Sequence, residues 1–91
     1  MIDFKPMFEN EQIRDIVLFL SGRKENWISH PQLDGYCTMY GNKRISNIEL
    51  ISLVKSMREK GDVSSNGKGG YKRGPNWKEP AFVTEKKYGI E

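Results

Sequence analysis

Cysteine, histidine and long apolar runs are almost missing from this sequence. Cys37 is the single cysteine, so no internal disulfide can form, and neither secretion nor a cysteine-bound zinc is indicated. Next to tyrosine it reads as a small buried hydrophobe rather than a nucleophile. His30 is the single histidine. It stands beside Pro31 at a helix start, and no serine or cysteine nucleophile is marked by a neighbouring motif. It therefore reads as a surface or capping residue, not a catalytic base. Asp34, Asp62 and the scattered glutamates lack metal-ligand spacing. No enzyme, metal or other cofactor is expected. No apolar stretch approaches the roughly 18 residues needed to span a bilayer. Met1-Ile2-Asp3-Phe4-Lys5-Pro6 has no cationic apolar leader, so a cytoplasmic protein with no membrane partner is expected. No internal repeat is visible.

What is present fits one small folded domain. Ninety-one residues support only a modest core, which an oligomer would help to stabilise. With 30% charged and 36% hydrophobic residues the chain is too apolar for disorder. A net charge of +3 admits nucleic acid, an acidic protein or an anionic surface as partner and selects none of them.

Along the chain, residues 1–9 place Phe4, Met7 and Phe8 around Pro6 and read as an extended arm, because proline disfavours helix at Lys5. Asn10 is an N-cap for a helix to about Ser21, with Ile13, Ile16, Val17 and Leu20 at helical spacing and Leu18 and Phe19 widening the apolar face. This is the expected core helix, stopped by Gly22. Arg23 to Asn26 is a polar loop, and Trp27-Ile28 a minimal strand. Ser29 caps one or two helical turns carrying Pro31 and Leu33, limited by Gly35. Tyr36 to Tyr40 alternates, so a hairpin turning at Gly41-Asn42 into Lys43-Arg44-Ile45 competes with a longer helix and a loop.

Ser46-Asn47-Ile48-Glu49 is a capping box that opens an amphipathic helix to Lys60. Leu50, Ile51, Val54 and Met57 form its apolar stripe, widened by Ile48 and Leu53. Asn47, Ser52, Lys55, Ser56 and Glu59 are left outside, and Gly61 ends the helix in the left-handed conformation. Beyond it, Val63-Ser64-Ser65 is a short strand expected to pair with Ala81-Phe82-Val83-Thr84 across a glycine-rich loop with a tight turn at Asn66-Gly67. Residues 85–91 read as a frayed tail.

A core helix, a short strand, a serine-capped helix, a long amphipathic helix and a glycine-rich two-stranded loop follow one another between Asn10 and Thr84. In that order the chain resembles winged helix-turn-helix domains, an architecture common among small bacterial and bacteriophage regulators. The resemblance implies an α+β fold with three helices and a small antiparallel β-hairpin wing, forming one domain over residues 10–84. It places the helix that starts after Ser46 in the recognition position and makes Asn66 to Pro80 the wing. The stretch from Cys37 to Ile45 is longer than the turn such motifs use.

Two surfaces carry chemistry that suits nucleic acid. Between Ser64 and Lys78 the charged side chains are Lys68, Lys72, Arg73 and Lys78, without an acid, and Tyr71 and Trp77 are interleaved. Cations and glycine amides can meet phosphates while an aromatic ring stacks. The plainer alternative is a solvated hairpin with Trp77 folded back on the core. On the long helix, Asn47 could face an adenine edge, with Ser52 and Lys55 further along and Lys43 and Arg44 near phosphates. Glu49 and Glu59 oppose that reading. The expectation is a small DNA-binding regulatory or accessory protein acting by occupancy on double-stranded DNA, as a homodimer. The alternatives are an interaction module for an acidic partner protein on the same scaffold, and a single-stranded nucleic-acid binder.

Overall fold

A computed structural model describes residues 1–23, 27–41 and 44–90. The polar loop at 24–26, the Lys43 phosphate contact, Asn42 of the expected turn and Glu91 lie outside the described residues. Within them the fold is α+β, with five helices and one three-stranded antiparallel sheet: α1 (Phe4–Asn10), α2 (Ile13–Ser21), β1 (Trp27–Ser29), α3 (His30–Tyr40), α4 (Asn47–Glu59), β2 (Val63–Ser65), β3 (Gly70–Arg73) and α5 (Ala81–Thr84). This exceeds the expected three helices and hairpin. None of the described helices is long and apolar enough to cross a membrane.

The first difference from the sequence reading is α1, which replaces the extended arm. Pro6 is its third residue, where the amide needs no intrahelical acceptor. Phe4, Met7 and Phe8 are spaced i, i+3, i+4, so a helix puts all three on one face; Met7 and Phe8 are completely buried. That burial outweighs the bias against helix before proline. Asn10 consequently ends α1 rather than capping the next helix, its amide donating to the Pro6 carbonyl, and Gln12 precedes α2.

Helix α2 is the centre of the core, as expected from its wide apolar face. Every residue from Ile16 to Ser21 is buried, and the Ser21 hydroxyl donates to the Leu18 carbonyl. Helix α3 runs through Gly35 for 11 residues. Leu33, Tyr36, Cys37 and Tyr40 keep helical spacing, and Tyr36 and Tyr40 pack on Phe4 with ring centroids 4.7 and 5.5 Å apart. That packing exceeds the roughly 1 kcal/mol that a mid-helix glycine costs, which is why the competing hairpin does not form. Ser29 caps α3 in a full capping box with Gln32. Burial, reinforced by the charge of Asp34, pushes the Cys37 thiol up to about 11, in keeping with a packing role.

Helix α4 begins where the capping box puts it and ends at Glu59, with Lys60 as its C-cap. Gly61, with φ of +81°, donates to the Arg58 carbonyl while Asp62 donates to Met57, the paired bonds of a Schellman stop. The helix buries Leu50, Val54 and Met57, but Ile51 is 47% and Ile48 77% exposed, against the wider stripe expected. A one-sided seat on the sheet covers a narrower arc than the sequence stripe offers.

Strand β2 pairs with β3 in the register Val63↔Arg73, Ser64↔Lys72, Ser65↔Tyr71, and β3 pairs on its other edge with β1, giving the order β1-β3-β2. The expected pairing of Val63–Ser65 with residues 81–83 is therefore replaced by a tighter hairpin. Its turn is closed by Asn66 Oδ1, which accepts from the Lys68 and Gly70 amides. Residues 81–84 form the short helix α5 instead, burying Phe82 edge-on against Phe19 at 5.7 Å.

Nor do residues 85–90 form a frayed tail. Tyr88 packs on Phe82, its hydroxyl donates to the Glu11 carboxylate, and its carbonyl accepts from the Asp3 amide. The carboxylate contact pushes the Tyr88 phenol up to about 12.

Trp77 closes the remaining side of α2. Its indole N–H donates to the Leu18 carbonyl at 2.9 Å, and its ring lies so close to Gly22 that a Cβ there would collide with it. Gly22→Ala should lower unfolding stability by about 1–3 kcal/mol through overpacking. A urea titration should show a lower midpoint with an unchanged slope.

Candidate nucleic-acid interface

The site residues expected from sequence fall into separate places. Helix α4 and strand β3 border a common groove lined by Ile51, Val54, Lys55, Arg58, Glu59 and Tyr71. Of the expected residues, Lys55 and Tyr71 meet there. The structure adds Ile51 and Arg58, which the sequence reading did not single out, and places Glu59 in the same wall. Ser52 is exposed on α4 and Lys68 at the hairpin tip.

Asn47 stands exposed in the first turn of α4, and its side chain is engaged. Asn47 Oδ1 lies 3.2 Å from His30 Nε2, and His30 Nδ1 lies 2.8 Å from the Tyr71 hydroxyl. One imidazole thus bridges the start of α3, the start of α4 and the central strand. Its position follows from Ser29, whose cap fixes His30 as the first residue of α3 directly after β1. The sequence signal for this role was slight, since nothing local to His30 points to residues 47 and 71.

Tyr71 is a wall of the groove rather than a free stacking ring. Its hydroxyl is bound to His30 and the two rings meet edge to face at 5.9 Å. Burial raises its phenol above the ordinary range, partly offset by the Arg58 charge.

Arg73 and Trp77 form a structural pair outside the groove. The Arg73 guanidinium sits 4.0 Å from the Trp77 ring centroid and donates to the Gly22 carbonyl at 2.7 Å, a cation at the C-terminal end of α2. Trp77 is folded back on the core, the plainer of the two alternatives. Lys78 lines another depression with Arg14, Leu18, Asp62 and Asn76, beside the Arg14–Asp62 ion pair of 2.7 Å. Arg44 is exposed before α4 and reaches back to the Glu11 carbonyl.

Lys72 projects from the outer face of the sheet, in register between Trp27 and Ser64. Trp27 is 40% exposed, so the accessible indole next to the basic strand is Trp27 and not Trp77. Its cross-strand position could not be foreseen without the β1–β3 pairing.

The acid nearest Asn47 is occupied. Glu49 accepts from the Ser46 amide at 3.0 Å while Ser46 Oγ accepts from the Glu49 amide at 3.1 Å. The backbone bond, then the serine hydroxyl, holds the Glu49 carboxyl below its ordinary 4.5. Its capping contribution is therefore complete above that value and is lost as pH falls through the lowered one. Glu49→Gln keeps both partners of the box without the titration. Acid melts monitored by circular dichroism should fall less steeply for the variant, and equal slopes would remove Glu49 from the acid response.

No protein-family profile, curated protein or solved structure matches this chain.

Proposed function

We propose that this chain is a winged helix-turn-helix module that binds duplex DNA and regulates by occupancy, as repressor or accessory factor. In this reading α2, α3 and α4 are its three helices, α4 lies in the major groove, and the β2–β3 hairpin is the wing. The observation that carries the reading is the common border of α4 and β3, where Lys55 and Arg58 of α4 meet Tyr71 of the hairpin, with Asn47 exposed at the helix start and Lys68 exposed at the hairpin tip. The element order α2-β1-α3-α4-β2-β3 supports it, as does the sheet order β1-β3-β2. Phosphates are held by Lys55, Arg58, Lys68 and Lys72, and exposed Ile48 and Ile51 offer apolar contact to thymine methyl groups. One module of this size reads few base pairs, so two copies on adjoining half-sites supply the specificity. Arg73 and Trp77 serve as internal supports for the wing and not as DNA contacts.

The same two isoleucines favour a second reading, an acidic partner protein with an apolar anchor seated against Ile48 and Ile51 and its carboxylates on Lys55 and Arg58. It keeps the scaffold and changes only the occupant.

Titration with random-sequence duplex across a salt series separates the two. Duplex binding should weaken steeply with salt. Lys68→Ala with Lys72→Ala should flatten the log–log slope by about 0.9 for each phosphate contact removed. Lack of binding at low salt would leave the protein-partner reading alone, and an unchanged slope would remove the hairpin from the interface.

A further inference from the structure

We propose that the outer face of the sheet binds a single nucleic-acid strand, with a base stacked on Trp27 and a phosphate held by Lys72. The site is separate from the α4 groove, and it does not depend on the duplex-binding reading.

The two faces of the sheet differ in chemistry. Alternation along β1 turns Ile28 inward, where it is buried, and Trp27 outward. The register carries that division across the sheet, so Tyr71 and Ser65 share the face of Ile28 while Lys72 and Ser64 share the face of Trp27. The groove beside α4, lined by Tyr71, belongs to the inner face.

Trp27 is the exception among the aromatic side chains. The phenylalanines, the tyrosines and Trp77 all belong to the buried core or pack against it, and among the described residues Trp27 alone does neither. It stays 40% exposed. Lys72, its direct cross-strand neighbour, is also exposed and joins no ion pair among the described residues. Gly70 and Gly74, two residues to either side of it, carry no side chain. An indole and a cation thus stand together with little beside them to keep a planar group away.

A nucleotide supplies the complement to both. Directly opposite residues on neighbouring strands have Cβ atoms about 5 Å apart, so a base lying on the indole brings its own phosphate within reach of the lysine. Between Val63 and Lys78 every charged side chain is a cation, and Lys68 at the hairpin tip extends the attraction along a polyanion. The strand must be unpaired, because a duplex turns base edges and not base faces outward. A base face and a phosphate are common to DNA and RNA, so the site does not select the sugar.

Fluorescence titration with a short oligothymidylate at low salt tests the proposal. The strand should quench Trp27 emission. Trp27→Phe should abolish the quench and keep most of the affinity, followed by the anisotropy of a labelled strand. Trp27→Ala should weaken binding about tenfold, within the range for loss of one stacked base. Lys72→Ala should flatten the log–log salt slope by about 0.7, one phosphate contact on a single strand. An abasic strand of equal length should bind wild type and Trp27→Ala alike. Absence of binding at low salt, or unchanged affinity in Trp27→Ala, would overturn the proposal. If Trp27→Ala melts early, the abasic strand decides on wild-type protein: it should bind about tenfold more weakly than oligothymidylate, and equal affinity would remove the stacked base.

Two comparisons separate this site from its neighbours. Oligodeoxyuridylate and oligouridylate should bind equally, and a marked preference for either would overturn recognition through a base face and a phosphate alone. Lys55→Ala with Arg58→Ala should weaken duplex binding and leave oligothymidylate binding intact. Loss of both would put the single strand in the α4 groove, defeating this proposal while leaving the duplex reading standing. Oligothymidylate binding without any duplex binding would do the reverse.

Discussion

Strand β3 has partners on both edges, and the placement of helix α4 follows from that double pairing. On one side lies β1, whose last residue caps α3; on the other lies β2, which follows α4 after a three-residue stop. A short strand of Gly70, Tyr71, Lys72 and Arg73 therefore joins the beginning of one helix to the end of the next. Without it, three-residue strands such as β1 and β2 have no independent stability. The same strand supplies the Tyr71 hydroxyl to His30 and the Arg73 guanidinium to the end of α2. Sheet, core helix and candidate interface are thus held from a single segment.

The parts of the fold legible in the sequence are those decided by neighbours in the chain. Ser46 with Glu49, Ser29 before Pro31, and Gly22 and Gly61 as stops all act within one turn, and all appear where local chemistry puts them. The parts that were not legible depend on distant partners. Strand β3 carries no apolar alternation, because it gains its stability from pairing on two sides. Residues 81–84 read as β-prone in isolation, but Phe82 reaches Phe19 from one helical turn. The arm around Pro6 carries a helical signal in Phe4, Met7 and Phe8, and burial of that face outweighs the bias against helix before proline.

At the candidate site the same division holds. The exposure of Asn47 and Lys55 is legible because capping and periodicity fix which side of α4 they occupy. Arg73 and Trp77 looked like contact residues because basic and aromatic character is all that composition shows. Their engagement with Gly22 and Leu18, more than fifty residues away in sequence, depends on tertiary structure. His30 shows the converse, since its partners are 17 and 41 residues away and no local signal marks them. The exposure of Ile48 and Ile51 was hidden by an apolar stripe broader than the surface available to cover it.

The chemistry of the groove divides the labour between its two walls. On α4, Glu59 opposes Lys55 and Arg58, so the helix brings limited net attraction to an anionic partner, and its first turn is better suited to discrimination. The hairpin wall is Tyr71, with Lys68 at the tip and Lys72 on the outer face of the sheet, cations suited to sequence-independent attraction. The His30 bridge ties the start of α4 to the central strand of the sheet. A partner that meets both walls finds them already at fixed separation, and the ordering cost that binding would otherwise carry has been met in folding. A partner fitted to one wall alone gains nothing from the bridge. The gain from the bridge is therefore greatest for an occupant rigid and long enough to touch both walls.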